Sequence, residues 1–193
     1  MIHKSILLGA LFGLLFVTTG VRSASAADKV KIGAMHMCCP ICEKTIYDTL
    51  KKVKGVTAAK VNRSGNECSF TAADRKTAEE AIKALIDQGY WGFYKINSAD
   101  YHPDVGTIKE GQKFDKIVFD QVHLCCNACG VSIGNTVEIG QPKGLDAEQN
   151  DFNRANKTAT FFGEGMDPAE MLKLMHNAGF HGIFNPEKSE KSE

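Results

Sequence analysis

The hydrophobic positions between residues 28 and 97 change their period several times, which predicts short strands alternating with helices. Runs typical of half-buried strands occupy residues 30–36, 56–62, 67–71 and 90–96. Apolar residues recur at helical spacing between the first two runs and again between the last two. These two helical faces comprise Ile46, Leu50 and Val53, and Ala78, Ala81, Ile82 and Leu85. The predicted order is βαββαβ, the split-βαβ or ferredoxin-like arrangement.

The same landmarks return in the second half of the chain. Residues 36–42, HMCCPIC, return as residues 123–129, HLCCNAC, and the segment GYWGFY at 89–94 returns as GFHGIF at 179–184. A Lys-Gly-apolar triplet lies between the two landmarks in each copy, at residues 54–56 and 143–145. Three landmarks in one order indicate an internal duplication. We therefore predict an α+β protein with two ferredoxin-like domains in tandem, at residues 28–97 and 114–185.

The second copy is expected to be looser than the first. Gly130 and Gly134 each weaken its first helix by roughly 1 kcal/mol relative to Ala, and its second strand, near residues 147–152, is nearly all polar. Outside the two copies, residues 98–113 are predicted to be a linker and residues 186–193 a disordered tail.

The N-terminus has the features of a secretory signal peptide. Lys4 precedes an apolar run at residues 6–17, and the small residues Ala24-Ser25-Ala26 form a cleavage site. The run is too short for a membrane anchor, because it spans roughly 18 Å of helix against the ~30 Å hydrocarbon core. We expect residues 1–26 to be removed and the mature chain to be exported, to a periplasm or outside the cell, with no membrane segment left.

The net charge of the chain argues against nucleic acid as a partner. The chain has 23 basic and 23 acidic residues, and cleavage of the signal peptide would remove Lys4 and Arg22. A near-neutral mature chain gives no case for binding nucleic acid.

The cysteines carry the candidate chemistry. Cys39 and Cys42, like Cys126 and Cys129 in the second copy, have the Cys-x-x-Cys spacing that places two thiols on one side of a turn. Both pairs would open a helix, where the dipole favours thiolate, the ligand that soft metals such as Cu(I) and zinc prefer.

Each copy adds two further donors before the pair. A third cysteine stands directly before it, Cys38 or Cys125, and a histidine, His36 or His123, stands two residues earlier still. Neighbouring side chains in an extended chain point to opposite faces. Three-thiolate ligation and histidine ligation therefore both stay open.

At these residues the sequence resembles the heavy-metal-associated domains, whose motif is Met-x-Cys-x-x-Cys, with Gly-Val opening the second strand and Gly-Tyr closing the second helix. The first copy matches at Met37, Cys39, Cys42, Gly55, Val56, Gly89 and Tyr90. The second matches at Cys126, Cys129, Gly144 and Gly179, with Leu124, Leu145 and Phe180 as departures. The resemblance implies a ferredoxin-like fold, metal bound by each cysteine pair, and a metal-transporting ATPase or a metalloenzyme as partner. It favours Cu(I), while the extra cysteine favours zinc, cadmium or mercury.

Two other functions compete with a non-enzymatic metal carrier or sequestering protein. Cys-x-x-Cys also occurs in thiol–disulfide enzymes, although each unit is short for that fold. An exported interaction module could use its cysteines for disulfides.

The remaining candidates have plainer interpretations: core packing for Cys68, Met171 and Met175, a border position beside the first site for Tyr90, a half-buried helix position for His176, and at most a weak ligand role for His181.

Overall fold

The computed structural model describes residues 26–106, 108–109 and 111–192. The predicted signal peptide therefore lies outside the described residues, apart from Ala26. Within the described ranges, no helix combines the length and the apolar character that crossing a membrane requires.

The first domain has the predicted element order. It consists of β1 (Asp28–Gly33), α1 (Pro40–Lys52), β2 (Val56–Asn62), β3 (Glu67–Ala72), α2 (Arg75–Ile86), β4 (Phe93–Ile96) and β5 (Ala99–Tyr101). The strands form an antiparallel sheet in the order β2-β3-β1-β4-β5. The first four strands are in ferredoxin-like order.

The second domain repeats this plan. It consists of β6 (Phe114–Asp120), α3 (Asn127–Gly140), β7 (Leu145–Asn153), β8 (Thr158–Met166), α4 (Pro168–Asn177), β9 (Ile183–Phe184) and β10 (Glu190–Lys191). Strand β6 pairs with β8, which pairs with β7, while β9 and β10 also pair with β6. The strand orders of the two sheets confirm the predicted fold class.

Each domain has its own core between its sheet and its two helices. The predicted face of α2 is fully buried, as are Ile46 and Leu50 on α1. Met171 and Met175 on α4 are buried as well, which confirms that they are core residues. Cys68 is 2% exposed on β3, and its thiol contacts the Met35 sulfur at 3.5 Å.

The predicted linker and tail are both more ordered than their composition suggests. Residues 99–101 extend the first sheet as β5. In the tail, β10 pairs with β6 and Lys188 binds the Asp120 carboxylate at 2.9 Å, so the prediction of a disordered tail is wrong for the described part. Pairing here uses backbone groups and charged side chains, which leave no hydrophobic alternation in the sequence.

The two helix-weakening glycines of the second domain have a packing role. A Cβ on Gly130 would stand 2.9 Å from Phe152 Cβ, and a Cβ on Gly134 would stand 3.4 Å from the Phe152 ring. Phe152 on β7 therefore lies over a groove in α3, and α3 is fully formed with 14 residues against 13 in α1.

Candidate metal centre

Each cysteine pair is positioned by the start of a helix. Cys39 is the N-cap of α1 and Cys126 the N-cap of α3, both with extended backbone and no capping side-chain hydrogen bond. Cys42 and Cys129 lie in the first turn and are fully buried. Because the N-cap thiols are not used for capping, they remain available as ligands near the positive end of the helix dipole.

The two domains meet through the segments that follow α2 and α4. Tyr90 and Phe180 form an antiparallel β-bridge between the domains. Two backbone hydrogen bonds flank it, from Trp91 N–H to Gly179 O at 3.1 Å and from His181 N–H to Gly89 O at 2.9 Å. The pairing relates the domains by an approximate twofold axis, which brings the two cysteine motifs face to face.

Gly89 and Gly179 allow this close approach. Their φ angles are +80° and +83°, in the region that glycine adopts without strain. A Cβ on Gly89 would stand 2.3 Å from the backbone nitrogen of His123, and one on Gly179 would stand 2.5 Å from that of His36. Each glycine therefore ends its helix and also admits the backbone of the other domain.

Cys38 places its sulfur among the thiols of the second domain. Its Sγ lies 3.1 Å from Cys126 Sγ, 3.6 Å from Cys129 Sγ and 3.7 Å from Cys125 Sγ. It also lies 3.7 Å from Cys42 Sγ in its own domain.

Cys125 occupies the equivalent position on the other side of the axis. Its Sγ lies 3.4 Å from Cys39 Sγ, 3.3 Å from Cys42 Sγ and 3.5 Å from Cys129 Sγ. The motif pairs complete the network, with Cys39 and Cys42 at 3.6 Å and Cys126 and Cys129 at 3.8 Å. All seven cysteines are free thiols, and six of them form one cluster between the domains.

This convergence differs from the two separate sites that the sequence predicts. The predicted ligands do come together within each domain, but the third thiol of each domain lies closest to the other domain. Cys38, Cys39, Cys125 and Cys126 offer four sulfurs within 4.8 Å of one another. The signal in the sequence is the extra cysteine at the equivalent position of both copies, whose sulfur contacts its own pair and the thiols of the other domain.

The spacing of the sulfurs suits a shared metal ion. Two thiolates on one tetrahedral ion with metal–sulfur bonds of about 2.3 Å lie roughly 3.8 Å apart. A disulfide would bring the sulfurs to about 2.05 Å. The observed spacings of 3.1 to 3.8 Å lie far outside disulfide length and reach the tetrahedral value at their upper end.

The two histidines border the cluster in crossed positions. A ring nitrogen of His36 lies within 4.8 Å of the Cys38 and Cys129 sulfurs, and one of His123 lies equally near Cys42 and Cys125. Burial lowers the pKa of His36, and it lowers that of His123 to about 4. Both rings are therefore neutral at pH 7, the form that can bind a metal.

The thiols differ in acidity. Burial alone would raise the pKa of Cys39, but hydrogen bonds from the Cys42 backbone N–H and the Cys125 thiol bring it to about 7. Contact with the Cys38 thiol lowers the pKa of Cys126. Burial and hydrogen bonds to neighbouring thiols raise the pKa of Cys38 and of Cys125.

The other predicted residues lie where the sequence placed them, with one addition. Met37 and Leu124 are 5% and 6% exposed and pack beneath the loops. The Tyr90 hydroxyl lies 3.0 Å from His123 Nε2, so Tyr90 borders the cluster through a residue of the other domain. His176 and His181 contact each other at 3.0 Å and lie against Trp91, apart from the thiols.

Comparison with known proteins adds structural similarity only. No protein-family model and no curated protein sequence matches this chain. It is similar to the N-terminal soluble domains of Bacillus subtilis CopA, with 19% identity, 84% of this chain and 97% of that chain covered, and a TM-score of 0.31. It is also similar to the water-soluble region of the P-type ATPase CopA from Bacillus subtilis, with 18% identity, coverage of 85% and 95%, and a TM-score of 0.29. The fold assignment rests on the strand orders described above.

Proposed function

We propose that this protein is an exported, non-enzymatic carrier or store for soft metal ions, Cu(I) first among them, held in one site shared by its two domains. The observation that supports the proposal is the convergence of six free thiols from two repeats. Thiolate is the donor that selects Cu(I), zinc and heavier ions over magnesium and calcium. Export is supported by the signal-peptide pattern of residues 1–26.

A cluster of this kind has capacity for several ions. If each of six thiolates bridges two Cu(I) and each Cu(I) takes three ligands, nearly all of them sulfur, the site holds about four Cu(I). Charge favours several ions too, because six clustered thiolates, two of them fully buried, would keep a large uncompensated negative charge with a single cation. Cys38 and Cys125 make the most contacts across the interface, because Cys38 Sγ lies within 3.7 Å of all three thiols of the second domain and Cys125 Sγ lies within 3.7 Å of all three thiols of the first.

Exposure indicates how metal would enter and leave. Cys39 and Cys126 are half-buried, whereas Cys42 and Cys129 are fully buried. Cys38 and Cys125 are half-buried too, but only the N-cap thiols of Cys39 and Cys126 combine partial exposure with a lowered pKa. A thiol-bearing partner, such as the soluble domain of a metal-transporting ATPase, would therefore contact these two thiols first. Metal would then pass by exchange of one sulfur ligand at a time.

Native mass spectrometry of the reduced mature chain tests the proposal. Saturation with Cu(I) should give more than two ions per chain, about four by the bridging arithmetic. Cys38→Ser combined with Cys125→Ser should reduce the number to two or fewer. Cys68→Ser is the matched control, because that thiol is in the core of the first domain and should leave the number unchanged.

One outcome would contradict the shared site, and another would contradict the choice of metal. Saturation at two Cu(I), unchanged in the double variant, would mean that the two pairs act separately. Failure to bind Cu(I), with Zn²⁺ or Cd²⁺ bound instead, would replace the metal but keep the thiolate site.

A further inference from the structure

The two halves of the cluster are related by the approximate twofold axis, but one pair of equivalent residues differs. Tyr90 stacks on His123 with ring centroids 4.1 Å apart, and Phe180 stacks on His36 with centroids 4.3 Å apart. The two stacked pairs have the same geometry, yet only one carries a hydroxyl group. This difference decides which histidine can reach a metal.

The Tyr90 hydroxyl forms a hydrogen bond with a ring nitrogen of His123. It lies 3.0 Å from His123 Nε2, the nitrogen that also faces the Cys42 sulfur at 3.5 Å. If Nε2 is unprotonated, the hydroxyl donates to its lone pair, the nearer acceptor at 3.0 Å. If Nε2 carries the proton, it donates to the hydroxyl oxygen, and the hydroxyl donates to the Cys42 carbonyl oxygen at 3.4 Å. In neither tautomer is the Nε2 lone pair free for a metal.

His36 has no such partner. Its Nε2 is buried and has no hydrogen-bond partner among the described residues. Buried polar groups in folded proteins are generally paired, so an unpaired one calls for an explanation. A ring nitrogen of this residue lies within 4.8 Å of the Cys38 and Cys129 sulfurs, which come from different domains.

We propose that His36 is a metal ligand and that His123 is not. The ion bound by Cys38 and Cys129 takes His36 as its third ligand, a coordination of two sulfurs and one nitrogen. The equivalent ion at Cys42 and Cys125 has sulfur ligands alone, because Tyr90 retains His123. This assignment rests on the proposed function and makes the two ends of the cluster chemically different.

Two substitutions that exchange the residue types at positions 90 and 180 test the assignment. Phe180→Tyr places a hydroxyl against His36, and Tyr90→Phe removes the one against His123, so each variant is the control for the other. Ring nitrogen signals are recorded by NMR on ¹⁵N-histidine-labelled, reduced mature chain before and after Cu(I) addition. His102, His176 and His181 lie outside the cysteine and histidine groups of the cluster and serve as internal references.

In the parent chain, Cu(I) should shift a His36 ring nitrogen strongly and leave the nitrogens of His123 nearly unchanged. Phe180→Tyr should abolish the His36 shift, and Tyr90→Phe should produce a new shift at His123. Bound copper is counted in the same samples by native mass spectrometry.

The outcomes separate the two proposals. If the parent chain binds Cu(I) while both histidines shift alike, or neither does, the assignment of His36 is overturned and the thiolate site stands. If neither exchange alters the pattern, the hydroxyl does not select the ligand and the assignment is also overturned. If the parent chain binds no Cu(I), the proposed function fails and the assignment fails with it.

Discussion

At the scale of single residues, identical side chains acquire different chemistry from their places in the fold. Cys68 and Cys39 are both free thiols in the first domain. Burial in the core raises the pKa of Cys68 to about 12, whereas the pKa of Cys39 at the helix start is about 7. Only the second of these thiols carries substantial thiolate at neutral pH, so only it is poised to react or to bind metal.

Alkylation of the reduced, metal-free protein should follow this order. At pH 7, limiting iodoacetamide should modify Cys39 and Cys126 before Cys38 and Cys125, because a lower pKa leaves a larger thiolate fraction. Fragmentation mass spectrometry of the singly modified protein distinguishes the adjacent cysteines. Prior saturation with Cu(I) should protect all four, and a first modification at Cys38 would contradict the expected acidities.

The sequence identifies the cysteines that gather at the candidate site, but it does not predict how they are grouped. Cys39, Cys42, Cys126 and Cys129 could be chosen from spacing and helix position alone. The contacts of Cys38 with the second domain could not be predicted. The alternation of side chains along an extended segment places Cys38 and Cys39 on opposite faces, but it does not say which residues lie on the Cys38 face. The role of Tyr90 was visible only as proximity to the first site, since its histidine partner comes from the other repeat.

At the scale of elements, the helix α3 shows how a local penalty can serve packing. Propensity marks Gly130 and Gly134 as equally unfavourable in a helix. In the structure they differ, because Phe152 lies against Gly130 through its Cβ and against Gly134 only through the edge of its ring. The expectation of a looser second domain rests on the two glycines and on the polar second strand, and it leaves out the Phe152 side chain that covers the glycines.

Alanine substitutions at these two positions should therefore have opposite effects on stability. Gly134→Ala should raise the free energy of unfolding by up to about 1 kcal/mol, since it gains helix propensity at ordinary van der Waals distance. Gly130→Ala should lower it by about 1–3 kcal/mol, because the new methyl group overpacks against Phe152. Urea unfolding followed by circular dichroism measures both, and stabilisation by Gly130→Ala would contradict the packing described here.

At the scale of the whole molecule, the interface between the domains creates the site. It depends on backbone hydrogen bonds beside Gly89 and Gly179, and on the stacking of Trp91 against His176 at 3.5 Å. Sequence patterns report burial within a domain through periodicity, but backbone pairing between domains leaves no period to detect. The strand order of each domain was therefore predictable, whereas the way the two domains face each other was not.

A single methyl group at this interface should separate the two halves of the cluster. Gly89→Ala would place a Cβ 2.3 Å from the His123 nitrogen, whereas Gly106→Ala has a similar φ of +79° with no described atom within 4 Å. Gly89→Ala should lower the Cu(I) maximum to two or fewer and change the fluorescence of Trp91, the only tryptophan in the chain. Gly106→Ala should change neither, and equal effects of both would show that backbone strain, not domain contact, is being measured.

The approximate twofold axis also bears on what a duplicated chain can do that a pair of identical subunits cannot. In a symmetric homodimer, any residue beside the cluster must appear on both sides, so the two ends of a shared site are chemically identical. Here the residues that cross the axis are encoded separately, and one side carries Tyr90 where the other carries Phe180. Because the two halves are joined in one chain, a mutation can change one end of the cluster and leave the other end as it is. The two ends can therefore differ, with one suited to loading metal and the other to unloading it.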